Sequence, residues 1–211
     1  MKIAFLGYGQ VGSPLADHLQ RLGHEVTLAA ADPNSKSLQK ALVRNPNLKV
    51  ALPKFAVGAA EVIFLATPFQ SSAAVLQSVA AELKGKILVD CTNPVGPNLT
   101  HGLKSVQSGS ELLQQLVPET RLVKAFNIYG FENFENNAFP AYNVKPVMMY
   151  CGQDPSARET VGSLILQLGW DALDVGGLEQ ALHLEHMTLL WVRLVRMNGY
   201  SPNLAWAKLT R

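Results

Sequence analysis

Short apolar runs rich in β-branched residues alternate along the chain with longer stretches in which apolar residues recur every three or four positions. The short runs are Ile3–Leu6, Val26–Ala30, Val62–Ala66, Ile87–Asp90, Leu122–Ala125, Val147–Cys151 and Ala172–Val175, and each predicts a strand. The stretches Pro14–Leu22, Ser35–Val43, Ser71–Leu83, Ser110–Leu116 and Ser156–Leu168 predict amphipathic helices between them. Strand and helix in alternation predict an α/β fold with a parallel sheet and crossover helices. A last helix is expected over Leu178–Asn198, where only Arg193 interrupts the apolar residues from Leu189 to Val195. A helix apolar nearly all round must be covered on both sides, either within one subunit or by a second copy in a homodimer. Gly199 and Pro202 supply its stop.

The first strand runs directly into Gly7-Tyr8-Gly9-Gln10-Val11-Gly12, and a helix follows. A glycine turn in that position is the dinucleotide fingerprint: Gly7 permits the tight turn, Gly9 lets backbone approach a pyrophosphate, and Gly12 lets the helix press on the sheet. The N–H groups of Gln10, Val11 and Gly12 would then point at an anion, aided by the helix dipole. The expected fold is therefore a Rossmann-type, doubly wound, mainly parallel sheet with a C-terminal helical extension. No repeat or linker divides the chain, so one domain is expected over 1–211: a dinucleotide-binding core over 1–127, then an aromatic loop, extra strands and the last helix over 128–211.

Asp32 stands about 20 residues past Gly12, close to where a carboxylate reads the ribose hydroxyls of NAD, with a turn residue before Pro33 as the lesser reading. NADP remains an alternative if Asn34, Ser35 and Lys36 surround a 2′-phosphate. Ligands of open parallel sheets lie beyond the carboxyl ends of the strands. Here those ends read Ala66-Thr67-Pro68-Phe69, Cys91-Thr92-Asn93-Pro94 and Lys124-Ala125-Phe126-Asn127, small or polar residues beside a glycine fingerprint.

These stretches, with Gly23–Thr27, Phe64–Pro68, Val89–Pro94, Val123–Asn127, Cys151–Asp154 and 168–177, resemble the coenzyme F420 (deazaflavin)-dependent NADP oxidoreductases and related dinucleotide-binding reductases. The nucleotide-binding domain of the six-transmembrane metalloreductases is similar too. The resemblance covers nearly the whole chain. It implies that Gly7, Gly9, Gln10 and Val11 hold a pyrophosphate, and that Thr67, Pro68, Asn93, Pro94 and Ala125 line the ribose and nicotinamide. It also implies NADP, or NAD, with F420 or a flavin as second ring cofactor, and hydride transfer between stacked rings. Such a transfer needs proximity more than a side-chain acid or base, so no catalytic residue is assigned. Ala30-Ala31-Asp32 stands where relatives often carry an Arg for the 2′-phosphate, which weakens the inference of NADP preference. A non-catalytic NADP(H) sensor that couples to a partner is the alternative.

Composition narrows the partners. Lys plus Arg number 18 against 16 Asp plus Glu, a net charge of +2, with no basic run, so neither nucleic acid nor a membrane surface is expected as a partner. The first apolar run stops at Gly7, too short for a secretory core, and a cytoplasmic protein is expected. Cys91 and Cys151 lack metal spacing and read as reduced packing residues. His183, Glu185 and His186 lack the HExxH spacing, so no metal is expected. His101 and Lys104 read as exposed loop residues. Six of the 13 Phe and Tyr residues fall between Phe126 and Tyr142, either as packing or as a wall against a flat ring.

Overall fold

The computed structural model describes residues 1–211. Six parallel strands form its centre: β1 (Lys2–Leu6), β2 (Glu25–Ala29), β3 (Lys49–Ala51), β4 (Val62–Leu65), β5 (Ile87–Asp90) and β6 (Arg121–Lys124). Two more, β7 (Val147–Gly152) and β8 (Asp171–Asp174), complete a sheet in the order β3-β2-β1-β4-β5-β6-β7-β8. The order reverses between β1 and β4, which pair in register from Ile3 against Val62 to Leu6 against Leu65. Strands β4 and β5 are buried at every position, which is why they read as unbroken apolar runs.

All seven expected strands are present, and β7 departs from the parallel pattern. After β6 no crossover helix returns the chain to the other end of the sheet. The segment stays at the carboxyl end, so β7 runs antiparallel to β6, with Lys124 opposite Cys151. Helix α8 (Pro155–Gln167) is a true crossover and makes β8 parallel to β7.

Helices α1 (Gly12–Arg21) and α2 (Lys36–Arg44) follow the first two strands. Strand β3 and the helix after it, α3 (Pro53–Ala59), have no counterpart in the sequence reading. Three residues of edge strand, two of them exposed, are too short to show a period. The single helix expected over Ser71–Leu83 is two, α4 (Phe69–Ser78) and α5 (Ala80–Leu83), because Val79 leaves helical geometry at φ −130°. Helix α6 (Gly109–Leu116) opens on a capping box between Ser108 and Glu111, and the short α7 (Glu132–Glu135) packs on α1. The C-terminal helix α9 (Ala181–Val192) ends in a wider π-type turn over Arg193–Met197, closed by Asn198 N–H donating to the Arg193 carbonyl.

Helix α9 turns Ala181, Leu184, Glu185, Thr188 and Trp191 inward, whereas Leu190 is 52% exposed. Its inner face thus carries two polar residues one turn apart. The aromatic segment divides. Phe126, Tyr129 and Phe134 are buried in the core; Tyr129 stacks on Trp170 with centroids 5.1 Å apart and donates its hydroxyl to the Val147 carbonyl. Phe139 and Tyr142 instead line a mostly apolar cavity of about 320 Å³ with Pro146, Leu204 and Trp206. No helix is long and apolar enough to cross a membrane.

Candidate dinucleotide site

The turn after β1 is built so that two of its glycines are demanded by the chain and one is not. Gly7 has φ +97°, and a Cβ there would stand 2.6 Å from the Ala66 backbone at the end of β4. A Cβ on Gly12 would collide with the Gly7 carbonyl oxygen. Gly9 meets no atom within 4 Å, so its missing side chain opens the surface rather than relieving a clash.

The start of α1 lacks the self-capping seen elsewhere. Asp154 caps α8 through Ala157 N–H, and Ser108 caps α6, but α1 has no side-chain cap and no acidic residue in its first turn. The N–H groups of Gly9, Gln10, Val11 and Gly12 find no acceptor in the chain. Unpartnered donors at the positive end of a helix dipole, with Gly9 and Gln10 exposed, fit an anion such as a diphosphate.

Two contiguous clefts meet at this turn. One, of about 460 Å³, is lined by Gly7, Tyr8, Gly9, Asp32, Thr67 and Pro68, with Ala29 and Ala31 of the β2 end and Val75 and Ser78 of α4. The other, also about 460 Å³, shares Tyr8, Gly9 and Ser37 and adds Gln10, Ser13, Lys36, Lys40, Arg44 and Glu135. Arg44 is neutralised by Glu135, while Lys36 and Lys40 are exposed and enter no ion pair. The Asp32 carboxylate accepts from Asn34 N–H at 2.9 Å, so it shapes the turn as well as facing the cleft. Ser35 occupies the N-cap of α2, but its hydroxyl is buried and unpartnered.

Asn93, Pro94 and Ala125 lie at the next two strand ends and line neither cleft. Pro94 and Ala125 are buried, and their backbones are engaged within the chain: the Pro94 carbonyl accepts from Gly102 N–H, and Ala125 N–H donates to the Asp90 carbonyl. The Asn93 side chain is engaged internally. It donates to the Asn127 carbonyl at 3.0 Å and accepts from the Asn127 amide at 3.0 Å, and Thr188 Oγ1 stands 3.0 Å from its oxygen. Phe126, between these groups, holds φ 55°, a left-handed conformation costly for a bulky residue.

Beneath these strand ends is a buried charge cluster with no counterpart in the sequence reading. Lys124 Nζ lies 3.0 Å from Asp90 Oδ2 and 3.0 Å from Glu185 Oε1, and donates to the Thr92 carbonyl at 2.6 Å. Burial alone would pull the Lys124 ammonium down; the carboxylates of Asp90 and Glu185 outweigh it and hold the group above the ordinary lysine range. His101, expected to be exposed, is 7% exposed and joins the cluster through Nε2 to Glu185 Oε2 at 2.8 Å. Its Nδ1 faces Leu103 and Ser105 N–H, so Nε2 carries the proton. His183 faces solvent while Glu185 faces the core, so the three polar residues early in α9 do not converge. One signal for the cluster was present: a Lys and an Asp closing apolar runs of adjacent buried strands need each other.

Comparison with known proteins agrees with this geometry. The family profile described as NADP oxidoreductase, coenzyme F420-dependent, matches residues 2–94. The F420-dependent NADP reductase of Methanothermobacter marburgensis is 31% identical, with 92% of each chain covered. The rat metalloreductase STEAP3 is 32% identical over 89% of this chain, which spans only 36% of that protein's length. A solved structure from Arthrobacter sp. FB24, provisionally described as an F420-dependent NADP reductase, superposes over all of both chains with a TM-score of 0.86 at 30% identity. A glycine turn with free donors at the switch point of this sheet, and a match over nearly the full length of a reductase, place the chain in the coenzyme F420-dependent NADP oxidoreductase family, an NAD(P)-dependent oxidoreductase.

Proposed function

We propose that the chain binds NADP(H) across the carboxyl ends of its strands and passes hydride between the nicotinamide and a planar ring acceptor, F420 or a flavin. The carrying observation is the donor-lined turn Gly7–Gly12, whose Tyr8 and Gly9 line both clefts. The residues fit the dinucleotide. The N–H groups of Gly9, Gln10, Val11 and Gly12 would take the diphosphate, and the cleft between Asp32 and Val75 would take the adenosine. Bound there, the nicotinamide would exchange a hydride, with its two electrons, with the acceptor ring.

The charge around Asp32 favours NADP over NAD. Two unpaired ammonium groups, Lys36 and Lys40, line the cleft that adjoins the Asp32 cleft at Ser37, and the Asp32 carboxylate already accepts a hydrogen bond from Asn34 N–H. A 2′-phosphate beside them completes pairs that the chain itself leaves open. The remaining task of the protein is orientation: Thr67 and Pro68 line the cleft at the end of β4, and half-buried Asn93 continues the row of strand ends beyond it.

The test is titration with NADPH and NADH, followed by stopped-flow mixing of the NADPH complex with F420, FMN and FAD. Tight NADPH binding and rapid oxidation by one acceptor are expected. Binding without oxidation by any of them would refute the acceptor class, and absence of binding would refute the site.

A further inference from the structure

Glu185 and Thr188 lie one turn apart on the inner face of α9; Glu185 reaches the end of β6, and Thr188 reaches the segments after both β5 and β6. Glu185 is 1% exposed; it contacts Lys124 at the end of β6 and receives Gly109 N–H at the start of α6 at 3.0 Å. Thr188 is 4% exposed, and its hydroxyl lies 2.7 Å from the Asn127 carbonyl and 3.0 Å from Asn93 Oδ1. Asn93 and Asn127 in turn clasp each other through both amides. The backbones after β5 and β6, 34 residues apart in sequence, are thereby locked to one another and to a helix that belongs to neither strand's crossover.

These groups stand on the far side of the switch point from Asp32. If the adenosine half lies by β2 and the diphosphate at the glycine turn, the nicotinamide half extends over the ends of β5 and β6. We propose that Thr188 is a positioning residue for hydride transfer. Through the Asn93–Asn127 clasp it sets the level of the floor on which the nicotinamide rests, with Glu185 and Lys124 as the anchor below. The geometry supports this over packing alone in two ways. The hydroxyl is directed at strand-end polar groups on the ligand side of the sheet, and the Phe126 strain is held between those same groups. The inference rests on the proposed cofactor site.

The experiment separates the two halves of the cofactor. Thr188→Val keeps the shape and removes the hydroxyl, Thr188→Ser keeps the hydroxyl, and Thr188→Ala carries the same test should the valine variant fail to fold. Affinity for 2′,5′-ADP, which lacks the nicotinamide, is measured beside NADPH affinity, the fluorescence of bound reduced nicotinamide and single-turnover hydride transfer. Thr188→Val is expected to bind 2′,5′-ADP within about twofold of wild type, to lose the emission enhancement of bound NADPH, and to transfer hydride about tenfold or more slowly. Thr188→Ser should return the rate to within about threefold. Unchanged NADPH emission and rate in Thr188→Val would overturn the inference. So would parallel loss of 2′,5′-ADP and NADPH affinity without rescue by serine, since that marks a structural role. Failure of the wild-type protein to bind 2′,5′-ADP would overturn the cofactor site itself, and the inference with it.

Discussion

Lys124→Met tests the buried cluster directly. The substitution keeps the unbranched stem and removes the only cation between Asp90 and Glu185, whose side chains are 0% and 1% exposed. Three contacts are lost: to Asp90, to Glu185 and to the Thr92 carbonyl. Removing one partner of a buried ion pair costs about 3–5 kcal/mol, because an uncompensated charge is left behind. Here each carboxylate keeps other donors. Asp90 retains Thr92 N–H, Thr92 Oγ1 and Ser110 Oγ, and Glu185 retains Gly109 N–H and His101. The lower end, about 3 kcal/mol, is therefore expected. Urea unfolding at constant m-value is the assay. Adding Glu185→Gln to Lys124→Met should cost less than the sum of the single changes, since one stranded charge is gone. In wild type the raised Lys124 value means that its contribution is complete through neutral pH and is lost only as pH climbs through the folded-state value above the ordinary lysine range. A loss below about 1 kcal/mol, or strict additivity in the double variant, would refute the account.

Gly9→Ala should leave the melting temperature unchanged, because its Cβ meets nothing within 4 Å, yet weaken NADPH binding measured by fluorescence titration. Gly12→Ala should instead lower the melting temperature, because its Cβ runs into the Gly7 carbonyl. Lys36→Ala should weaken NADPH by about tenfold and leave NADH nearly unchanged, with the NADPH effect shrinking in high salt; equal loss for both nucleotides would place the 2′-phosphate elsewhere. Cys91 and Cys151 should resist a thiol-labelling reagent near neutral pH and react on unfolding. Burial drives the Cys91 thiol well above its usual range and pushes Cys151 up to about 12.

What the sequence determined by itself is local. The strands β4 and β5 read as apolar runs because both their faces are covered, and the turn Gly7–Gly12 announces itself because the residues that need one another are neighbours in the chain. Three-residue β3 escaped because its length carries no period, and the reversal of β7 escaped because direction is a property of the connection, not of the strand. The groups under the candidate nicotinamide floor escaped for a different reason. Lys124 meets Asp90 across 34 residues, Glu185 meets His101 across 84, and Thr188 meets Asn93 across 95. Read alone, Glu185 and Thr188 are polar residues on a helix, and His101 is a loop residue. Only the fold, by burying α9 against the strand ends, removes their water and obliges each to find its partner.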